Sequence, residues 1–159
     1  MKYLLTTIYE VFTSYFKGQG IVILILCALY ATALGLIGVK FGILIGILTG
    51  LLSVIPYLGF MSGLVVSVIV AAIQFRSVLP VLWVLLAFAV IQVLESFVIT
   101  PKILGKSIGI NPIATLVLLI IGGMAAGPVG MIIAIPVAGV LFKIYRDKLK
   151  KTEDENILN

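Results

Sequence analysis

An all-helical, polytopic integral membrane protein is the fold class this sequence predicts, and three observations lead to it. Of 159 residues, 62% are hydrophobic and only 11% charged, with a mean hydropathy of +1.33. A soluble domain of this length needs far more polar side chains to cover its surface. The apolar stretches also lack the polar–apolar alternation of barrel strands. Lipid offers no hydrogen bonds to a bare backbone, so such stretches must be helices. Finally, the charges collect in a tail just after the last apolar stretch and in short connectors.

Taken in order, residues 1–20 read as an amphipathic interfacial helix. Leu4, Leu5, Ile8, Phe12, Tyr15 and Phe16 share one face, with Thr6, Glu10, Thr13 and Lys17 opposite, a pattern suited to the headgroup layer. Gly18 and Gly20 then allow a turn into the membrane. Residues 21–145 form the transmembrane domain. Its clearest span is Ile21–Val39, uncharged and long enough to cross a hydrocarbon core of ~30 Å. Val78–Thr100 is of similar length. Between and after these come shorter segments, Gly42–Ile55, Phe60–Ile73, Ile113–Ala126 and Val129–Phe142, each covering only about 21 Å of helix. They form two proline/glycine-broken helix pairs, hinged at "IPYLG" (Ile55–Gly59) and "GPVG" (Gly127–Gly130). Either re-entrant hairpins or short tilted spans fit that pattern. Gly42, Gly46 and Gly50 make a small-residue ridge for close helix packing, within the chain or between subunits. Residues 146–159 are a charged cytoplasmic tail.

The net charge of +5 does not point to nucleic acid. Lys143, Arg146, Lys148, Lys150 and Lys151 crowd the end of the last apolar segment, where a basic cluster anchors beside anionic headgroups. Glu153, Asp154 and Glu155 beside them would repel a phosphate backbone. With the tail inside, Lys2, Lys17, Lys102 and Lys106 fall inside too, and only Lys40 and Arg76 outside. Location in the cell membrane with a cytoplasmic C-terminus follows. No histidine is present, and Cys27 is the single cysteine, so an intrachain disulfide and histidine-based catalysis or metal ligation are excluded. No metal site or cofactor is called for. Glu10 interrupts the first apolar stretch, and no cleavable signal peptide is evident. No nucleophile–base–orienter set is visible, so an enzyme is the least supported class.

The candidate transport-path residues follow from where polarity interrupts the apolar pattern. Glu95 is the only acidic residue between Glu10 and Asp147, and Gln92 shares its helical face. Ionisable groups within spans usually face a protein interior or a watery path. A structural ion pair of Glu95 with Lys102 or Lys106 is the alternative. Lys102, Lys106, Ser107 and Asn111 offer donors near the cytoplasmic entrance, or the lysines snorkel to lipid phosphates. The "GKS" here lacks the first glycine and the spacing of a phosphate loop. Ser53, Pro56 and Tyr57 lie at the first break, where unwound backbone would offer carbonyls; a plain surface turn explains them equally. Gly59, Gly127 and Pro128 are hinge candidates.

Three stretches together resemble one family: "GLLSVIPYLGFMSG" (Gly50–Gly63), "IQVLESFVITPKILGKSIGINPI" (Ile91–Ile113) and "GGMAAGPVGMIIAIPVAGVLFKIY" (Gly122–Tyr145). Their order and spacing resemble those of the autoinducer-2 exporter family of membrane permeases. The resemblance covers nearly the whole chain but only about the C-terminal half of a usual member. It implies export of a small polar solute such as autoinducer-2, with assembly into homo-oligomers. Sodium/proton antiport is the alternative within the family. A non-transporting membrane scaffold is the alternative if the chain is a truncated form. The implied partners are the lipid bilayer and a small polar solute, or sodium and protons.

Overall fold

The computed structural model describes residues 2–55, 57–103 and 112–157, with side chains described for 5–55, 57–100, 102–103 and 117–145. Pro56, Lys106 and Asn111 lie outside the described residues. Every regular element among those described is helical. In chain order they are α1 (Lys2–Ile37), α2 (Gly42–Leu52), α3 (Leu58–Phe75), α4 (Val78–Leu94), a π-helical turn (Glu95–Ile99), α5 (Thr100–Ile103) and α6 (Pro112–Ile157). Four segments are long and apolar enough, by length and composition, to cross a membrane: Leu5–Ile37, Leu58–Phe75, Val78–Ile99 and Val117–Tyr145, the last of them broken within at Ala126–Gly127.

Two boundaries differ from the sequence reading. The chain does not turn at Gly18–Gly20, because α1 runs unbroken through both glycines. At ~1.5 Å per residue this helix is about 54 Å long, nearly twice the hydrocarbon thickness. Nor is the first proline-broken pair made of two equally short segments. Here α2 has 11 residues whereas α3 has 18, so α3 alone reaches spanning length. The extra length of α3 comes from Leu58 and Gly59 at its start and Gln74 and Phe75 at its end. Gly59 and Gln74 interrupt an apolar pattern without interrupting a helix.

The chain divides into two compact units, Gly18–Leu104 and Met1–Lys17 with Gly105–Asn159. In the first, α2 runs antiparallel to α1 along the glycine ridge. A Cβ at Gly42 would come within 2.8 Å of the Leu34 carbonyl oxygen, at Gly46 within 2.5 Å of Ala31 Cα, and at Gly50 within 2.6 Å of Cys27 Sγ. Only glycine permits this approach, and it lets backbone meet backbone where lipid supplies no hydrophobic drive. On its other side α2 meets α3, with Gly63 against Thr49 and Gly59 against Ser53. The α1–α2 connector is held by Gln74 of α3, whose Nε2 donates to Gly38 O at 2.8 Å while its Oε1 accepts from Lys40 N at 2.6 Å. One amide thus satisfies two backbone groups of a connector that lies outside any helix. Lys40 and Arg76, the two cations assigned outside, therefore flank the same end of this unit.

Apart from Gly18, the buried residues on α1 fall at Thr7, Val11, Tyr15, Gln19, Val22, Leu26, Tyr30 and Leu34, three or four apart throughout. Leu5, Ile8 and Phe16, placed by sequence on one apolar face, are exposed. In the second unit, Thr7, Val11 and Tyr15 are buried, as are Leu119, Ile135 and Val140 of α6. Lys143 Nζ donates to Glu10 Oε2 at 2.9 Å. Within α6, Ala126 and Gly127 leave helical geometry, Gly127 at φ 60°. The chain folds back there: a Cβ at Gly122 would lie 2.5 Å from Gly130 O, and one at Gly123 equally close to Met131 Cε. Pro128 opens the second half, where its missing N–H costs nothing.

Candidate functional site

Two polar groups stand out in the unit Gly18–Leu104. The first is built where α4 widens into the π-helical turn. Thr100 N donates to Glu95 O, five residues back rather than four. The local cause is Pro101. It has no N–H to give the carbonyl four residues earlier, and a wider turn accommodates the mismatch. The turn begins at Glu95, which is half-buried. One turn earlier, Gln92 Nε2 donates to Ser96 Oγ at 3.2 Å, so the amide is oriented and its Oε1 is free for another donor. That oxygen is buried and has no hydrogen-bond partner among the described residues.

On α1, Tyr30 is fully buried, and its ring packs on Phe88 of α4 at 4.7 Å between centroids. Phe88 also meets Phe60 of α3 at 6.0 Å. The Tyr30 hydroxyl is another buried polar atom without a partner among the described residues. A carboxylate and an amide oxygen thus stand at the start of a widened helix, and a phenol is buried against the same helix at Phe88. Such a set can bind a cation, accept from hydroxyls, or exchange a proton.

The second group sits at the α2–α3 break. Ser53 is buried; its Oγ donates to Thr49 O at 3.0 Å, and its carbonyl accepts from Gln19 Nε2 at 3.0 Å. This spends the Ser53 hydroxyl on its own helix, a frequent fate of serine in apolar helices. Tyr57 opens α3 at φ 68°, a left-handed conformation that costs a non-glycine residue roughly 1–2 kcal/mol; its side chain is exposed.

Among the other candidates, Lys102 is exposed on α5, and no ion pair links it to Glu95 among the described residues. Gly59 is packed on Ser53, and Gly127 and Pro128 form the α6 break. Sequence reasoning missed Gln19, Tyr30 and Ser67, all buried. Gln19 lay at the edge of the presumed interfacial helix. Tyr30 and Ser67 were single polar atoms inside apolar runs, and that isolation was the one signal available.

Comparison with known proteins agrees with the three motif stretches. The model of the AI-2E family transporter matches residues 1–150. The chain belongs to this family. Relatives include "Putative transport protein YrrI" of Bacillus subtilis, 34% identical over 127 residues covering 80% of this chain and 35% of YrrI. "Putative transport protein sll0063" of Synechocystis is 33% identical over 138 residues, 83% of this chain and 33% of its own length. "AI-2 transport protein TqsA" of Escherichia coli is 28% identical over 111 residues, 70% of this chain and 32% of TqsA. The matched part of the chain thus spans about a third of the length of these curated relatives. No solved structure matches it.

Proposed function

We propose that this chain supplies part of the permeation path of an AI-2E permease for a small polar solute such as autoinducer-2, with Gln92 and Glu95 lining the path. The observation that carries this reading is the π-helical turn opening at Glu95 inside an otherwise apolar span. Single π turns within helices are frequent at functional sites, and ionisable groups at membrane depth usually face a path rather than lipid. In this reading Ser53, Pro56 and Tyr57 border the path at the α2–α3 break, and Gly59, Gly127 and Pro128 are its hinges. Lys102, Lys106 and Asn111 form its cytoplasmic mouth. The protein sits in the cell membrane as a homo-oligomer, with its C-terminal tail cytoplasmic.

Sodium/proton exchange is a second reading, favoured by Glu95 alone: it is the one acidic side chain in the long apolar region between Glu10 and Asp147. Purified chain in sealed liposomes discriminates the two. Release of entrapped autoinducer-2 supports the permease, and sodium-driven proton movement supports the exchanger. A folded, inserted protein that passes neither contradicts both and leaves a scaffold role.

A further inference from the structure

We infer that the interior of the unit Gly18–Leu104 holds a bound O–H donor, a water molecule or the hydroxyl of a small solute, between Tyr30, Gln92 and Ser67. This site rests on the proposed path, which it extends inward from the π turn. It stands on three polar atoms that the described fold leaves without partners: Tyr30 Oη, Gln92 Oε1 and Ser67 Oγ.

Their placement makes them one site. Gly46 of α2 packs on Tyr30 and Ala31 of α1. The Gly63–Thr49 contact between α3 and α2, followed one turn along the antiparallel pair, sets Ser67 level with Ile45 and Gly46. Tyr30 and Ser67 therefore occupy the same level of the bundle, and both are fully buried at 0% exposure. Helical side chains lean toward the N-terminus of their own helix. For Tyr30 and Ser67 that direction is toward the α2–α3 break. Gln92 stands one turn beyond Phe88, whose ring touches Tyr30, and its amide is held there by Ser96, on the side toward which Tyr30 leans. That lean carries the Tyr30 hydroxyl from the level of Ser67 toward that of Gln92.

Ser67 also behaves unlike its neighbours. Thr49, Ser53 and Ser62 each return a hydroxyl bond to their own helix, at 2.7, 3.0 and 2.6 Å. Ser67 shows no such bond among the described residues, so its hydroxyl is available across the bundle. Buried polar atoms in native proteins are almost always satisfied, by protein or by ordered water. Internal waters usually make about three hydrogen bonds to otherwise orphaned groups, and three such groups are present. Gln92 Oε1 can only accept, while Tyr30 and Ser67 can each accept or donate. The occupant must therefore donate O–H to Gln92, which water and an alcohol both do.

Water-edited solid-state NMR on the chain in phosphatidylcholine liposomes tests this, with tyrosines isotope-labelled at Cζ and Tyr30 assigned by its loss in Tyr30→Phe. Proton transfer to Tyr30 in water alone supports the site and assigns water. Transfer that appears only with added glycerol as the probe hydroxyl supports it and assigns the solute. In either case Gln92→Leu or Ser67→Ala must reduce the transfer, while the Tyr15 signal stays unchanged. No transfer under both conditions overturns the inference, as does transfer that neither substitution alters. Because this readout needs no flux, a dry Tyr30 beside intact transport would sink the inference and leave the proposed path standing.

Discussion

At the scale of single residues, the glycines of this protein do different jobs, and alanine separates them. Gly46 has the α1 backbone against it, so Gly46→Ala forces helices apart and should cost about 1–3 kcal/mol, as overpacking does. Gly20 lies inside α1, where an added Cβ would meet nothing within 4 Å; Gly20→Ala should stabilise by about 0.5–1 kcal/mol through helix propensity. Tyr57 presents the converse case. Its positive φ is one that glycine adopts freely, so Tyr57→Gly should raise stability by up to about 1 kcal/mol. Thermal unfolding in one detergent, run on all three variants, reads the opposite signs directly. An unchanged midpoint for Gly46→Ala would mean that α2 does not lie on α1 as described.

At the scale of elements, the Gln74 amide clamps the α1–α2 connector with two hydrogen bonds. Gln74→Leu should cost about 1–3 kcal/mol, because it strips partners from two backbone groups. Hydrogen exchange at Lys40 should accelerate with it; protection unchanged at that amide would refute the clamp. The Glu10–Lys143 contact at 2.9 Å makes a separate claim about how the start of α1 meets α6. Zero-length carbodiimide coupling should join these two residues within one chain, as read by peptide mass spectrometry. Since both side chains are about half exposed, Glu10→Gln should change stability by less than about 1 kcal/mol.

Elements also show what could be read from the sequence. Helix type, the apolar runs behind α1 and α4, though not the bounds of α1, and a break beside Gly127 were legible, because long apolar runs and a glycine–proline pair have few alternatives. The face of α1 was not. In a soluble helix apolar residues turn inward, but lipid is as apolar as a protein interior. Leu5, Ile8 and Phe16 could therefore face outward while Thr7, Gln19 and Tyr30 were buried. The continuity of α1 through Gly18 and Gly20 was likewise hidden, since glycine permits a bend without requiring one. Glu95 and Gln92 were legible as polar interruptions. The π turn that opens at Glu95 was not, because the missing N–H of Pro101 permits a widened turn before it without requiring one.

At the scale of the whole molecule, a chain whose match covers about a third of the length of its curated relatives still carries a compact helical unit with polar side chains buried in it. It also carries a second unit, within which Glu10 and Lys143 pair. The glycine ridge of α2 is occupied by α1 of the same chain, so assembly into a homo-oligomer has to use other surfaces. The central claim is that solute passes the Glu95 turn, and liposome flux of the unmodified chain against Glu95→Gln tests it most directly. With Glu95 lining the path, Glu95→Gln, folded and inserted to the same extent, should lose most of the flux. Undiminished flux of autoinducer-2, sodium and protons through that variant would contradict it.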